Sequence, residues 1–133
     1  MEEEILIDGS HGVLGRVCTY AAKQALTGRK VIIVNCEELI VSGNKKNILE
    51  IYKQKRARGG DAQKGPYFPR LPKDIVRRTI RGMLKYKKVY GSDAFKRVTC
   101  FPDVPEKYAS KKKINFKRDV SKSLTLKEIS RLI

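Results

Sequence analysis

The residues with the most chemistry to offer are cations set among planar rings. Between Lys53 and Tyr90 the chain carries 13 Lys and Arg against two Asp, and Tyr67, Phe68, Tyr86 and Tyr90 are interleaved with them. Ammonium and guanidinium groups neutralise phosphates, while rings and guanidinium planes stack on unpaired bases. This pattern points to a nucleic acid as partner. The candidate contacts are Lys53, Lys55, Arg56 and Arg58; Lys64, Tyr67, Arg70 and Lys73; Arg77, Arg78, Arg81, Lys85, Lys87 and Lys88. A second cationic run, Lys111, Lys112 and Lys113, joins the set.

Other reactive residue types are sparse. His11 is the only histidine; Asp8 lies near it in sequence, but no nucleophile with a local signature accompanies the pair, and a surface or phosphate-contacting histidine is the favoured reading. Three cysteines, Cys18, Cys36 and Cys100, are odd in number, widely separated and set in apolar runs, which fits reduced core thiols rather than a disulfide framework or a zinc site. No catalytic constellation, metal site or cofactor site can be assembled, and no small-molecule substrate is expected. One loop needs weighing as a phosphate site. Gly9, Gly12 and Gly15 read G-x-x-G-x-x-G between a strand and a helix, a spacing that departs from G-x-G-x-x-G, and no G-x-x-x-x-G-K-[ST] is present. A tight turn with close strand-to-helix packing is the favoured reading; a small nucleotide-binding enzyme using this turn is the alternative.

Net charge is +16 over 133 residues, and it is unevenly spread. Residues 1–52 sum to −1, 53–90 to +11 and 91–133 to +6. A near-neutral scaffold therefore precedes the binding charge. The basic segments lack the long apolar span or broad lipid-facing surface that membrane insertion needs. The acidic start, Met1-Glu2-Glu3-Glu4, shows neither a secretory signal nor an Arg-rich transit peptide, so a cytoplasmic protein is expected.

The elements that must position these residues can be read from periodicity. A short buried strand over Glu4–Asp8 is followed by an amphipathic helix to about Thr27, with Gly28 placed to end it. Lys30–Cys36 holds a continuous apolar run of β-branched residues bounded by polar groups, the pattern of a strand covered on both faces in a parallel sheet. A second short strand, Leu39–Ser42, precedes a helix capped by Asn44 and running to about Arg56, with Ile48, Leu49, Ile51 and Tyr52 inward. The connection 57–71 has no obvious element, and a loop of that length is usually functional. A helix starting at Pro72 or Lys73 places Ile75, Val76, Thr79, Ile80 and Met83 on one side and Arg77, Arg78, Arg81 and Lys85 on the other. Ser92 starts a short helical segment to Arg97, and Val98–Phe101 is a strand. Residues 109–123 lose all periodicity and are expected to be extended or disordered without a partner. The end recovers: Thr125 and Glu128 have capping-box spacing, Leu124 and Ile129 staple spacing, and Leu126, Ile129, Leu132 and Ile133 form a stripe for a terminal helix. The organisation expected is an α/β domain over 1–108 with a basic loop-helix insert at about 57–90, then a basic extended tail, 109–133, ending in a short helix.

Several stretches resemble the large-subunit ribosomal protein family L13, in its archaeal and eukaryotic form. They are I-D-G-S-H-G-V-L-G-R (Ile7–Arg16), G-R-K-V-I-I-V-N-C (Gly28–Cys36), I-V-S-G-N (Ile40–Asn44), K-G-P-Y (Lys64–Tyr67) and R-R-T-I-R-G-M-L (Arg77–Leu84). Lys85 stands where the family commonly has Pro, and the short terminal segment resembles archaeal members more than eukaryotic ones. The resemblance implies a three-layer α/β/α domain with a small, mainly parallel four-stranded sheet and no enzymatic activity. It also implies a place on large-subunit rRNA in the cytoplasmic ribosome, among neighbouring large-subunit ribosomal proteins. A DNA-binding regulator using the Lys73–Lys85 helix is disfavoured, because no helix-turn-helix partner or dimer seam accompanies it.

Overall fold

The computed structural model describes residues 4–57, 69, 71–118, 120 and 122–132. Its centre is a parallel sheet of four strands in the order β4-β2-β1-β5, made of β1 (Glu4–Asp8), β2 (Lys30–Val34), β4 (Val98–Cys100) and β5 (Ile114–Asn115). Val31, Ile32, Ile33 and Val34 are all buried, as a strand covered on both faces requires. β2 ends at Val34, short of the Lys30–Cys36 span: Asn35 turns the chain into the left-handed region at φ 56°, and Cys36–Glu38 forms a 3-10 turn.

The two faces of the sheet are covered unequally. Ile7, Val31, Ile33, Val98 and Cys100 face a large core built with α1 (Leu14–Leu26), α3 (Pro72–Met83), α4 (Val89–Lys96) and the terminal α5 (Leu126–Leu132). Leu6, Ile32 and Val34 face a smaller cluster closed by Tyr108, with Phe101 and Val104 packed on it. This outer layer is a 3-10 turn, Glu106–Tyr108, and its flanking chain.

Local signals placed most of these elements. Gly28 adopts φ 97° just past α1, a conformation that costs a side chain but not glycine. Asn44 accepts the Lys46 N–H at 2.9 Å at the start of α2 (Lys45–Ala57), and Thr125 Oγ1 accepts the Glu128 N–H at 3.2 Å.

Pairing and burial go beyond the local pattern at four places. The strand after the 3-10 turn, β3 (Ile40–Ser42), leaves the parallel sheet and pairs antiparallel with β6 (Ser123–Thr125). The fourth place in the sheet is taken by β5, from the aperiodic segment, because backbone pairing at an edge makes little demand on side-chain pattern. α4 begins at Val89, three residues before Ser92; Gly91, inside it, lies against the Lys85 carbonyl. Ile51, Met83 and Leu132, expected on apolar faces, are about half exposed, since each lies beyond the reach of the core that buries Ile48, Ile80 and Ile129.

The three thiols are buried and free, and they meet in the large core. A hydrogen bond to Cys100 and then burial raise the Cys36 pKa; burial, then Cys100, raises that of Cys18.

Candidate nucleic-acid interface

α3 is amphipathic: Ile75, Val76 and Ile80 are fully buried. It starts with Pro72 as its first residue, where a missing N–H and a fixed φ cost nothing. Its basic face does not stand free in solvent. Arg77, Arg78 and Arg81 are each half-buried. The Arg77 guanidinium carbon lies 4.8 Å from the centre of the Phe95 ring on α4, and that of Arg81 lies 4.7 Å from the centre of Tyr86. These stacks hold the guanidinium planes in place while leaving edge N–H donors for a phosphate. Asp74, Arg77, Arg78 and Arg81, with Pro69 and Phe95, surround a shallow cavity of about 280 Å³.

Beyond α3 the chain turns sharply. Leu84 is buried and extended, Tyr86 N–H donates to the Leu84 carbonyl at 2.8 Å, and Lys88 N–H donates to the Lys85 carbonyl at 2.9 Å. This turn exposes Lys85, Lys87 and Lys88, and beside them Tyr86, Val89 (79% exposed) and Tyr90 (55%). Large apolar groups left in water among lysines are unusual on a free surface and suit contact with bases or a partner.

The remaining candidates are distributed. Lys73 is exposed near the start of α3. Lys53 and Lys55 are exposed on α2, with the Lys55 ammonium 5.0 Å from the centre of the Tyr52 ring; Arg56 belongs to the same helix. Lys111 and Lys112 are exposed before β5, the Lys111 ammonium 5.5 Å from the Tyr108 ring. Lys113 is half-buried and donates to the carbonyls of Ala109 and Lys111. Arg58, Lys64, Tyr67 and Arg70 lie outside the described residues. α3, its exit turn and α4 thus bring together Lys73, Arg77, Arg78, Arg81, Lys85, Lys87 and Lys88, whereas α2 and the 111–113 run belong to separate elements. Phe95, the platform for Arg77, is not legible as a site residue in the sequence; its spacing of 18 residues from Arg77 carries no periodic signal.

The glycine turn is filled by protein. A Cβ on Gly9 would lie 3.0 Å from Leu39 and from the Val34 carbonyl, and one on Gly12 3.0 Å from Val17 and 3.3 Å from Phe116. These glycines serve close packing of strand, helix and edge, while Gly15 has open space around it. The polar groups beside them are satisfied internally: Asp8 Oδ1 accepts from Ser10 N–H and Asn35 Nδ2, both at 3.0 Å, and Ser10 Oγ donates to Glu38 at 2.6 Å. Burial raises the Asp8 pKa, but the bonds from Asn35 and Ser10 and the charge of Lys113 outweigh it and set it below the ordinary value. Among the described residues, no group of three or more His, Cys, Asp or Glu is placed to hold a metal, and no helix is long and apolar enough to cross a membrane.

A family model described as ribosomal protein L13 matches residues 2–107. The chain is 41% identical to the large ribosomal subunit protein uL13 of Methanocaldococcus jannaschii, over 95% of this chain and 94% of the relative. It is 41% identical to that of Archaeoglobus fulgidus (96% and 86%) and 38% identical to that of Methanococcus maripaludis (97% and 96%).

Proposed function

Because this chain belongs to the ribosomal protein L13 family, we propose that it binds and stabilises folded large-subunit rRNA through the α3–α4 surface. The family is one of ribosomal constituents rather than enzymes; the chain is accordingly a structural component of the large subunit, located in the cytoplasmic ribosome. The observation that carries the RNA reading is the pair of stacked guanidiniums, Arg77 on Phe95 and Arg81 on Tyr86, beside the exposed Lys85, Lys87 and Lys88. Fixed cations next to exposed rings match what folded RNA offers, a crowded phosphate backbone with some bases unpaired.

The mechanism is charge neutralisation from a rigid scaffold. Each neutralised phosphate releases condensed counterions, so affinity falls steeply with salt. Lys73 continues this surface at the start of α3, Lys53 and Lys55 add contacts from α2, and Lys111, Lys112 and Lys113 add a separate one; Arg56, Arg58, Lys64, Tyr67 and Arg70 join the set on their cationic and aromatic chemistry alone. Neighbouring large-subunit proteins complete the environment. Sedimentation of cell lysate on a sucrose gradient tests the assignment: the protein should run with the large subunit and leave it as salt is raised. A protein confined to the top of the gradient at low salt would sink the proposal.

A further inference from the structure

We infer that the carboxyl edge of the sheet carries a second phosphate site, formed by His11, Lys117, Arg118 and Ser123, that receives a backbone phosphate of RNA. The inference rests on the RNA-binding reading above, but its residues are separate from α3 and from every cation assigned so far. Strand order places it. In the order β4-β2-β1-β5, the chain leaves β1 through α1 toward β2 on one side, while β5 lies on the other. Beyond the carboxyl ends of β1 and β5 the two chain exits run side by side, joined by the Gly12–Lys117 bridge, at the end of an open α/β sheet where ligands bind. His11 comes three residues after the end of β1, and Lys117 two residues after the end of β5.

A cavity of about 310 Å³ lies there, lined by His11, Ile40, Lys117, Arg118, Val120 and Ser123. Its described lining supplies two permanent cations, an imidazole and a hydroxyl, against an apolar wall of Ile40 and Val120. The nearby acids Asp8 and Glu38 are already engaged by Ser10 and Asn35. An apolar wall lowers the local dielectric and strengthens each cation's pull on an anion.

The backbone of the site is also set in advance. His11 N–H donates to the Glu38 carbonyl at 3.0 Å, Arg118 N–H donates to the His11 carbonyl at 3.1 Å, and Gly12 forms a bridge with Lys117. These bonds hold His11 at φ 56°, a region that a non-glycine residue occupies at a cost. A site whose loops are fixed by their own hydrogen bonds loses little ordering entropy on binding. The shared chemistry is a phosphate group, which could come from an RNA chain or from free phosphate. The side chains of His11, Lys117 and Arg118 are exposed, within reach of a polymer.

Amide NMR spectra of the full chain would separate the sources. A short single-stranded oligoribonucleotide should shift the His11, Gly12, Lys117 and Arg118 amides saturably, at concentrations where inorganic phosphate does not. The double variant Lys117→Gln/Arg118→Gln should keep its thermal midpoint and lose those shifts, and its slope of log K against log salt should flatten by about 0.7 for each phosphate no longer neutralised. The charge-retaining Lys117→Arg/Arg118→Lys variant should keep both shifts and slope. Shifts produced by inorganic phosphate alone, no shifts with either probe, or an unchanged slope in the double Gln variant would each overturn the inference. With wild-type protein still sedimenting in the large subunit, such a result removes this site and leaves the α3–α4 proposal standing.

Discussion

Single residues here take their properties from neighbours remote in sequence. Cys18, Cys36 and Cys100 share one core, and burial together with mutual contact raises the pKa of Cys18 and Cys36. Since the thiolate is the reactive form, a thiol reagent should label the native protein slowly even when pH is raised through the range where exposed thiols ionise, and rapidly after denaturation. Fast native labelling of any of the three would show that the core opens. Asp8 shows the opposite sign. Its folded pKa lies below the ordinary 3.8, so its bonds contribute stability at neutral pH that is lost as pH falls through the folded value. The difference in thermal midpoint between wild type and Asp8→Asn should therefore hold steady down to about pH 4 and close below it. A difference that stays constant through the acid range would mean that the carboxylate is not held by Asn35 and Ser10 in solution.

At the scale of elements, the two faces of α3 should fail differently. Ile80 is fully buried, and Ile80→Ala should cost about 2 to 5 kcal/mol in chemical denaturation. Replacing Arg77, Arg78 and Arg81 with Gln should leave the protein folded, though removing the stacks on Phe95 and Tyr86 adds about 0.5 to 1 kcal/mol each to an otherwise near-neutral surface change. Affinity for rRNA should drop, and the salt slope should flatten by about 0.7 to 0.9 for each phosphate that α3 no longer neutralises. A triple variant that binds with an unchanged slope would remove α3 from the interface. The turn between α3 and α4 depends on Gly91. A Cβ there would be driven into the Lys85 carbonyl, so Gly91→Ala should cost about 1 to 3 kcal/mol and displace the Lys85–Lys88 turn. A variant as stable as wild type would mean that α4 sits further from this turn than the structure places it.

For the whole molecule, the last twenty residues matter more than their composition suggests. β5 pairs with β1, β6 pairs with β3, and Leu124, Leu126 and Ile129 are buried in the main core. A chain ending at Lys113 should therefore lose its cooperative unfolding transition, measured by circular dichroism on heating, rather than behave as a trimmed but intact domain. Retention of a sharp transition would show that α1, α3 and the remaining sheet suffice. The same connectivity explains how a chain of net charge +16 stays compact: the near-neutral first 52 residues supply β1, α1, β2, β3 and most of α2, and the charge is carried on elements packed around them.

Sequence alone determined what depends on near neighbours. The β-branched run of β2, the four-residue spacing of α1, the opposed faces of α3, the Asn44 and Thr125 caps and the left-handed Gly28 all act within a turn or two of the chain, so they are legible as pattern. The bias of charge toward 53–90 was legible too, because charge is a sum and needs no fold. Tertiary structure decided what depends on distant pairing. Nothing in K-K-K-I-N-F marks Ile114–Asn115 as the fourth parallel strand, since an edge strand is recruited through backbone N–H and C=O groups that every residue carries. Likewise, Arg77 meets Phe95, Cys36 meets Cys100, and His11 meets Lys117 and Arg118 only when the fold brings together segments remote in the chain.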